Sequence, residues 1–232
     1  CGGSAAKRRS AAWQQRTLVR FQHSAFEILL NDNTYMEKME KLEAIELAAL
    51  KLLQQNLPEA KGIIKNEYPF HKTAVRRRTY SDRQKMEQFV RDGFVDRYSG
   101  QKLVNPGILK GLSFYMPEAF PYHSLWKMAE CHHAYWELVP TVDHIYPAAL
   151  GGADTMENRA TTSMLHNSIK SNWTLEQLGW KLYEAGDYAQ YDGLTGLFIK
   201  LVSGDEGLLR DDYIRRWYKV SLDFDRMYLG RR

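Results

Sequence analysis

The sequence predicts an α+β fold that is mostly helical, and three observations carry that reading. Apolar residues recur at steps of three or four along several long stretches, which is the repeat of one helix face. A β-prone run near residue 140 is followed by a glycine-containing loop, a second β-prone run and a helical segment, so residues 137–172 read as strand, loop, strand, helix. No internal repeat or low-complexity tract suggests another architecture.

Taken in order, residues 34–56 place Met36, Met39, Leu42, Ile45, Ala49 and Leu52 on one stripe, which predicts a long amphipathic helix suited to packing or to a homodimer seam. Leu57-Pro58 should end it, because proline lacks the amide that a continuing helix needs. Residues 62–80 hold Arg76, Arg77 and Arg78 and few periodic apolar positions, so they read as a basic loop or linker. The expected division is therefore a basic, largely helical region over 1–80 and a second domain over 81–232. Ser81 is a plausible N-cap for a helix over 81–95 that buries Met86, Phe89, Val90 and Phe94. Thr174 should open another helix through Leu175, Leu178, Leu182 and Tyr183, closed by Gly186-Asp187. Two further helical patterns cover about 189–202 and 206–228, the latter containing Trp217, Tyr218, Leu222 and Phe224.

Composition narrows the class. At 232 residues the chain is long enough for one sizeable core or two small ones, and 44% hydrophobic with 26% charged residues is the balance of a folded protein. The net charge is only +4, but residues 1–80 hold 14 basic against 8 acidic side chains and the remainder 18 against 20. Lys7-Arg8-Arg9 and Arg76-Arg77-Arg78 are candidate phosphate contacts, although such runs are as often a solvated charged face. Cys1, in a linker-like Cys-Gly-Gly-Ser stretch, and Cys131 do not make a disulfide framework. Without an apolar run of about 18 residues, no membrane partner and a cytoplasmic setting are the default expectation.

The chemistry concentrates in Val142-Asp143-His144-Ile145-Tyr146-Pro147, Gly151-Gly152, Asn158 and His166-Asn167 through Lys170. Asp143 and His144 are neighbours at a strand end, so their side chains leave in opposite directions and can serve different tasks. A carboxylate is a hard oxygen donor suited to Mg²⁺, whereas an imidazole can take a proton from water near neutral pH. Asn167 could supply a second ligand and Lys170 a cation from one face of the following helix. A lone Asp-His pair is ordinarily unremarkable; the ordered set gives it weight. Cys131-His132-His133 is read as structural, because consecutive residues do not converge on one ion. Trp126, Tyr135 and Trp136 are read as core.

This ordered set resembles the HNH nuclease family, and more narrowly its HNN variant, with His144, Asn158 and Asn167 as the three letters. The resemblance covers about residues 96–172. It implies a ββα-metal finger over 137–172 embedded among helices, and one divalent cation, Mg²⁺ or Mn²⁺, held by Asp143 and Asn167. His166 is the alternative third-position ligand, one residue early. The same resemblance makes His144 the general base, has Asn158 hold the loop and orient His144, and has Lys170 help neutralise the scissile phosphate. Arg159 and Lys170 join the triple arginine as candidate nucleic-acid contacts. Many members carry two Cys-x-x-Cys pairs around a structural zinc. Here Asp96 and Ser99, then Ser163 and His166, stand at those positions, so structural zinc is not expected. Packing by Tyr98, Leu103, Met164 and Leu165 is expected to replace it.

The implied activity is metal-dependent hydrolysis of DNA phosphodiester bonds leaving 5′-phosphate and 3′-hydroxyl ends, as in restriction or phage defence. Two alternatives stand beside it. One is a nucleic-acid-binding module that does not cut, the other a DNase toxin with an immunity partner.

Overall fold

Residues 39–70 and 79–230 are described by a computed structural model of the chain, and they divide into two units between residues 71 and 72. Arg76, Arg77 and Arg78 lie outside the described residues.

The first unit contains α1 (Lys41–Leu53) and α2 (Leu57–Glu67). Pro58 follows the end of α1, as expected, but it also sits in the first turn of α2, where its missing amide costs no hydrogen bond. Asn56 caps that helix by accepting from the Glu59 amide at 3.3 Å. Residues 62–67, expected within a linker, are therefore helical. The expected apolar stripe also differs: Leu42, Ile45 and Leu52 are 76%, 49% and 53% exposed, while Ala44, Ala48 and Ala60 are buried. The short turn sets which faces meet, and small alanines let two backbones approach where leucines would hold them apart.

The second unit opens with α3 (Asp82–Arg91), capped by Ser81 and Gln84 in a reciprocal capping box, with Met86, Phe89, Val90 and Phe94 buried as expected. Next comes α4 (Pro106–Tyr115), which has no counterpart among the expected helices because Pro106, Gly107 and Gly111 dilute its helical signature. A Cβ on Gly107 would sit 2.2 Å from the Phe198 ring, so this glycine permits the close approach of α4 to a later helix. Then follow the single turn α5 (Ala134–Glu137), β1 (Pro140–His144), β2 (Arg159–Ser163) and α6 (Met164–Lys170).

The helix expected from residue 175 shrinks to one turn, α7 (Leu175–Leu178). Gly179, at φ 65°, ends it. Leu182 and Tyr183 lie in non-helical chain, where the Tyr183 amide donates to the Arg97 carbonyl at 2.8 Å. Tertiary hydrogen bonding has overridden local periodicity. The chain closes with α8 (Thr195–Gly204) and α9 (Asp212–Leu229), separated by a 3₁₀ segment, Glu206–Arg210. Ile214, Trp217, Ser221 and Phe224 form the buried face of α9, which packs on α3, α4 and α8. The fold class is thus α+β and mostly helical. No helix among the described residues is long and apolar enough to cross a membrane.

Strands β1 and β2 are antiparallel, with Asp143 opposite Ala160 and His144 opposite Arg159. The far edge of β2 is closed by two buried carboxylates from the loop after α3. Asp92 accepts from the Thr161 amide at 2.7 Å and Asp96 from the Ser163 amide at 2.9 Å. An edge strand otherwise leaves such amides unpaired, so these carboxylates anchor the small sheet to the helical core.

Candidate active site

The pleat of β1 divides the candidate residues between two faces. Thr141 and Asp143 meet α6, and His144 points the other way with Val142. Helix α6 follows β2 directly because Ser163 serves as its N-cap, accepting from the His166 amide at 3.1 Å.

On the α6 face, Asp143 Oδ2 accepts from the Tyr98 hydroxyl at 2.7 Å and pairs with Lys170 Nζ at 2.7 Å. Burial and the charge of Asp143 push the Tyr98 hydroxyl well above its ordinary pKa, so it remains a donor. Lys170 also donates to the His144 carbonyl at 2.8 Å, and its side chain is fully buried. The lysine expected to touch a phosphate is instead an internal strut between helix and strand. Asn167 donates through Nδ2 to Thr141 Oγ1 at 2.9 Å. With its nitrogen committed there, Asn167 keeps Oδ1 as an acceptor on the face that carries Asp143.

On the other face, His144 Nε2 lies 3.1 Å from Asp154 Oδ1 and 3.3 Å from the Tyr80 hydroxyl. Tyr80 donates to the same Asp154 oxygen at 2.6 Å, and Arg159 reaches it through two nitrogens at 2.7 and 2.9 Å. These partners, Tyr80 foremost, hold the Asp154 carboxyl well below the usual carboxylate range. An ionised carboxylate only accepts, so Nε2 carries the hydrogen in that contact. Arg159, expected on nucleic acid, lies 4.6 Å over the Tyr80 ring as well and is committed to this network.

The Asn158 side chain bonds to loop backbone and not to the imidazole. Its amide spans the loop, accepting from the Tyr146 amide at 2.8 Å and donating to the Tyr146 and Ala153 carbonyls at 3.0 and 2.8 Å. The loop role expected of it is filled by these bonds, whereas the imidazole is oriented by Asp154 and Tyr80. Gly151 takes φ 96°, and a Cβ on Gly152 would lie 2.0 Å from the Tyr146 carbonyl oxygen, which explains both glycines.

His166 is held by Asp96 and Ser163. Its Nδ1 lies 2.7 Å from Asp96 Oδ2 and 2.9 Å from Ser163 Oγ, and its ring packs edge-on to Trp180. That engagement occupies Nδ1 of the alternative third-position ligand and ties its ring to the loop after α3. Asp96 also accepts from the Tyr98 amide and the Thr162 hydroxyl at 2.9 and 3.0 Å. Burial alone would raise its pKa, but the Ser163 and Tyr98 amides and His166 hold it below the carboxylate range. Where a zinc knuckle was compared with packing alone, the structure places a hydrogen-bonded carboxylate at the centre. Tyr98 and Leu103 are buried beside it, whereas Met164 and Leu165 are only half-buried.

His132 stacks on Phe120 with ring centroids 4.0 Å apart, and Cys131 is buried, consistent with the structural reading of that triplet. Tyr80 and Asp154 were not singled out from sequence. The one available signal was that Asp154 follows the Gly-Gly loop, where an Asp is usually read as turn chemistry.

Among the described residues no three His, Cys, Asp or Glu side chains converge on a metal position. The candidate donors are one carboxylate and one amide. No protein-family model matches the chain, and no curated protein or solved structure matches it significantly.

Proposed function

We propose that the protein is a metal-dependent endonuclease of the HNH type that hydrolyses DNA phosphodiester bonds. The observation that carries this reading is the division of labour at the end of β1: an imidazole backed by an ionised carboxylate on one face, and a carboxylate with an amide on the other.

The residues fit one hard cation. Both neighbours of Asp143 use Oδ2, and among the described residues none is recorded on Oδ1, while Asn167 offers Oδ1. One or two oxygen ligands, completed by water and substrate phosphate, is an ordinary set for Mg²⁺ or Mn²⁺. Asp143 and Asn167 would hold the ion. When bound, it would neutralise charge on the phosphoryl group and the departing 3′ oxygen.

His144 takes a proton from the attacking water, and Asp154 stabilises the imidazolium that results. Tyr80 and Arg159 keep Asp154 in place. Lys170 fixes Asp143 from below and ties it to the backbone of His144, so the two faces are held in register. Supercoiled plasmid should be nicked with Mg²⁺ and left intact in excess EDTA; intact plasmid in both conditions would reject the activity.

The same Lys170 pair supports a second reading. A cation at Asp143 has to share the carboxylate with an ammonium 2.7 Å away, which favours a module that binds DNA without cutting. Retarded but uncut plasmid with Mg²⁺ is the outcome that selects it.

Positioning of the base is open to a separate check. Asp154→Asn should lower kcat for nicking about 10- to 100-fold, the usual range for a side chain orienting an active one, with KM little changed. Equal kcat in mutant and wild type would show that Asp154 only stabilises the loop.

A further inference from the structure

A cavity of about 420 Å³ opens between β1, the start of α3 and the middle of α9. Its walls include Tyr80, Trp126, Val142, Tyr213 and Trp217, and Lys85 and Arg216 stand among its charged lining residues. Two features tie it to the candidate active site. Val142, two residues from His144 on the same β1 face, lines the cavity together with Thr141 of the opposite face. Tyr80, whose hydroxyl lies 3.3 Å from His144 Nε2, is part of its wall, and the two rings are 6.4 Å apart between centroids.

We propose that this cavity receives one unstacked nucleobase of the DNA strand being cut. The proposal rests on the nuclease reading above. The volume lies within the ordinary range for a small-ligand site, about 300–1,000 Å³, and a single base is a small occupant for it. Tyr80, Trp126 and Tyr213 are partly exposed beside the buried Trp217, and such rings offer the stacking surface on which single-stranded bases are held irrespective of sequence. The charge suits a strand: Lys85 lies 3.3 Å and Arg216 3.6 Å from Asp82, two cations against one anion, and the Arg216 side chain is 61% exposed. Tyr80 both lines the cavity and contacts His144, so a base held here would lie next to a phosphate at that histidine. The enzyme would accordingly prefer a locally unpaired strand, because extruding a base from a duplex costs pairing and stacking.

The test alters the ligand, so that folding cannot confuse it. Full-length protein in EDTA is titrated by anisotropy with a short single-stranded oligonucleotide, with its perfect duplex, and with a series carrying one abasic residue at each position in turn. The single strand should bind better than the duplex, one abasic position should cost about tenfold, and Arg216→Glu should weaken binding of the intact strand. Equal affinity across the abasic series overturns the proposal. So does a free deoxynucleoside monophosphate that binds as tightly as the strand, which marks a mononucleotide site instead. Plasmid nicking is read separately: nicking with a flat abasic series rejects the cavity and keeps the nuclease, whereas an abasic-sensitive strand with no nicking keeps the cavity and rejects the nuclease.

Discussion

His144→Ala should lower Mg²⁺-dependent plasmid nicking by about 10³-fold while DNA retardation on a gel stays near wild type. General-base catalysis is typically worth about 10²–10⁴ in rate, and two features place this imidazole toward the upper half of that range. Its Nε2 is already engaged by Asp154 and Tyr80, so no tautomer has to be selected during the reaction. Its backbone carbonyl is held by Lys170, so removing the ring leaves the strand end where it was. Binding should survive because the ring is only 12% exposed and offers little surface to DNA. The measurement is the initial rate of conversion from supercoiled to open-circular plasmid. Nicking by His144→Ala at the wild-type rate would remove the imidazole from the chemistry and, with it, the mechanism proposed here.

Asp96→Ala should cost about 3 to 5 kcal/mol of stability. The carboxylate is fully buried and serves the amides of Tyr98 and Ser163, the Thr162 hydroxyl and the His166 ring. Alanine leaves those donors in a dry site with no acceptor. It also frees the end of β2 from the loop after α3, so the strand that carries α6 loses its anchor. Denaturant unfolding should show a lower midpoint with an unchanged slope. Added zinc should restore nothing, since a serine and a histidine do not rebuild a thiolate site.

The pH dependence follows from the direction of the Asp96 shift. Its folded pKa lies below the unfolded value, so its contribution is fully present above the ordinary carboxylate pKa and fades as pH falls through the folded one. The stability gap between wild type and Asp96→Ala should therefore narrow in strong acid. A gap that stays constant down to acid pH would show that this charge is not what holds the strand.

Much of the local structure was legible in the residues. Ser81 and Thr174 announced helix starts that the structure contains, because a cap needs only its own next three residues, here Gln84 and Gln177. The strand, loop, strand and helix order around Asp143 and His144 is present, with the two strands paired antiparallel. Errors arose where a distant partner outbid local preference. The helix expected through Tyr183 stops at Leu178, and the apolar stripe on α1 gives way to buried alanines. Helix α4 was missed because the glycine that weakens its signature is required by Phe198, far along the chain.

By itself, the sequence determined which groups are present at the end of β1 and that neighbouring Asp143 and His144 serve opposite faces, since strand geometry fixes that alternation. Tertiary structure alone decided their partners. Tyr80 reaches His144 across 64 residues, Tyr98 reaches Asp143 across 45, and Asp96 claims His166 across 70. The same packing buried Lys170 and so turned an expected phosphate contact into a strut. Periodicity and capping are set by residues within a turn or two, whereas the charge state, exposure and direction of a side chain depend on whatever the rest of the chain folds against it.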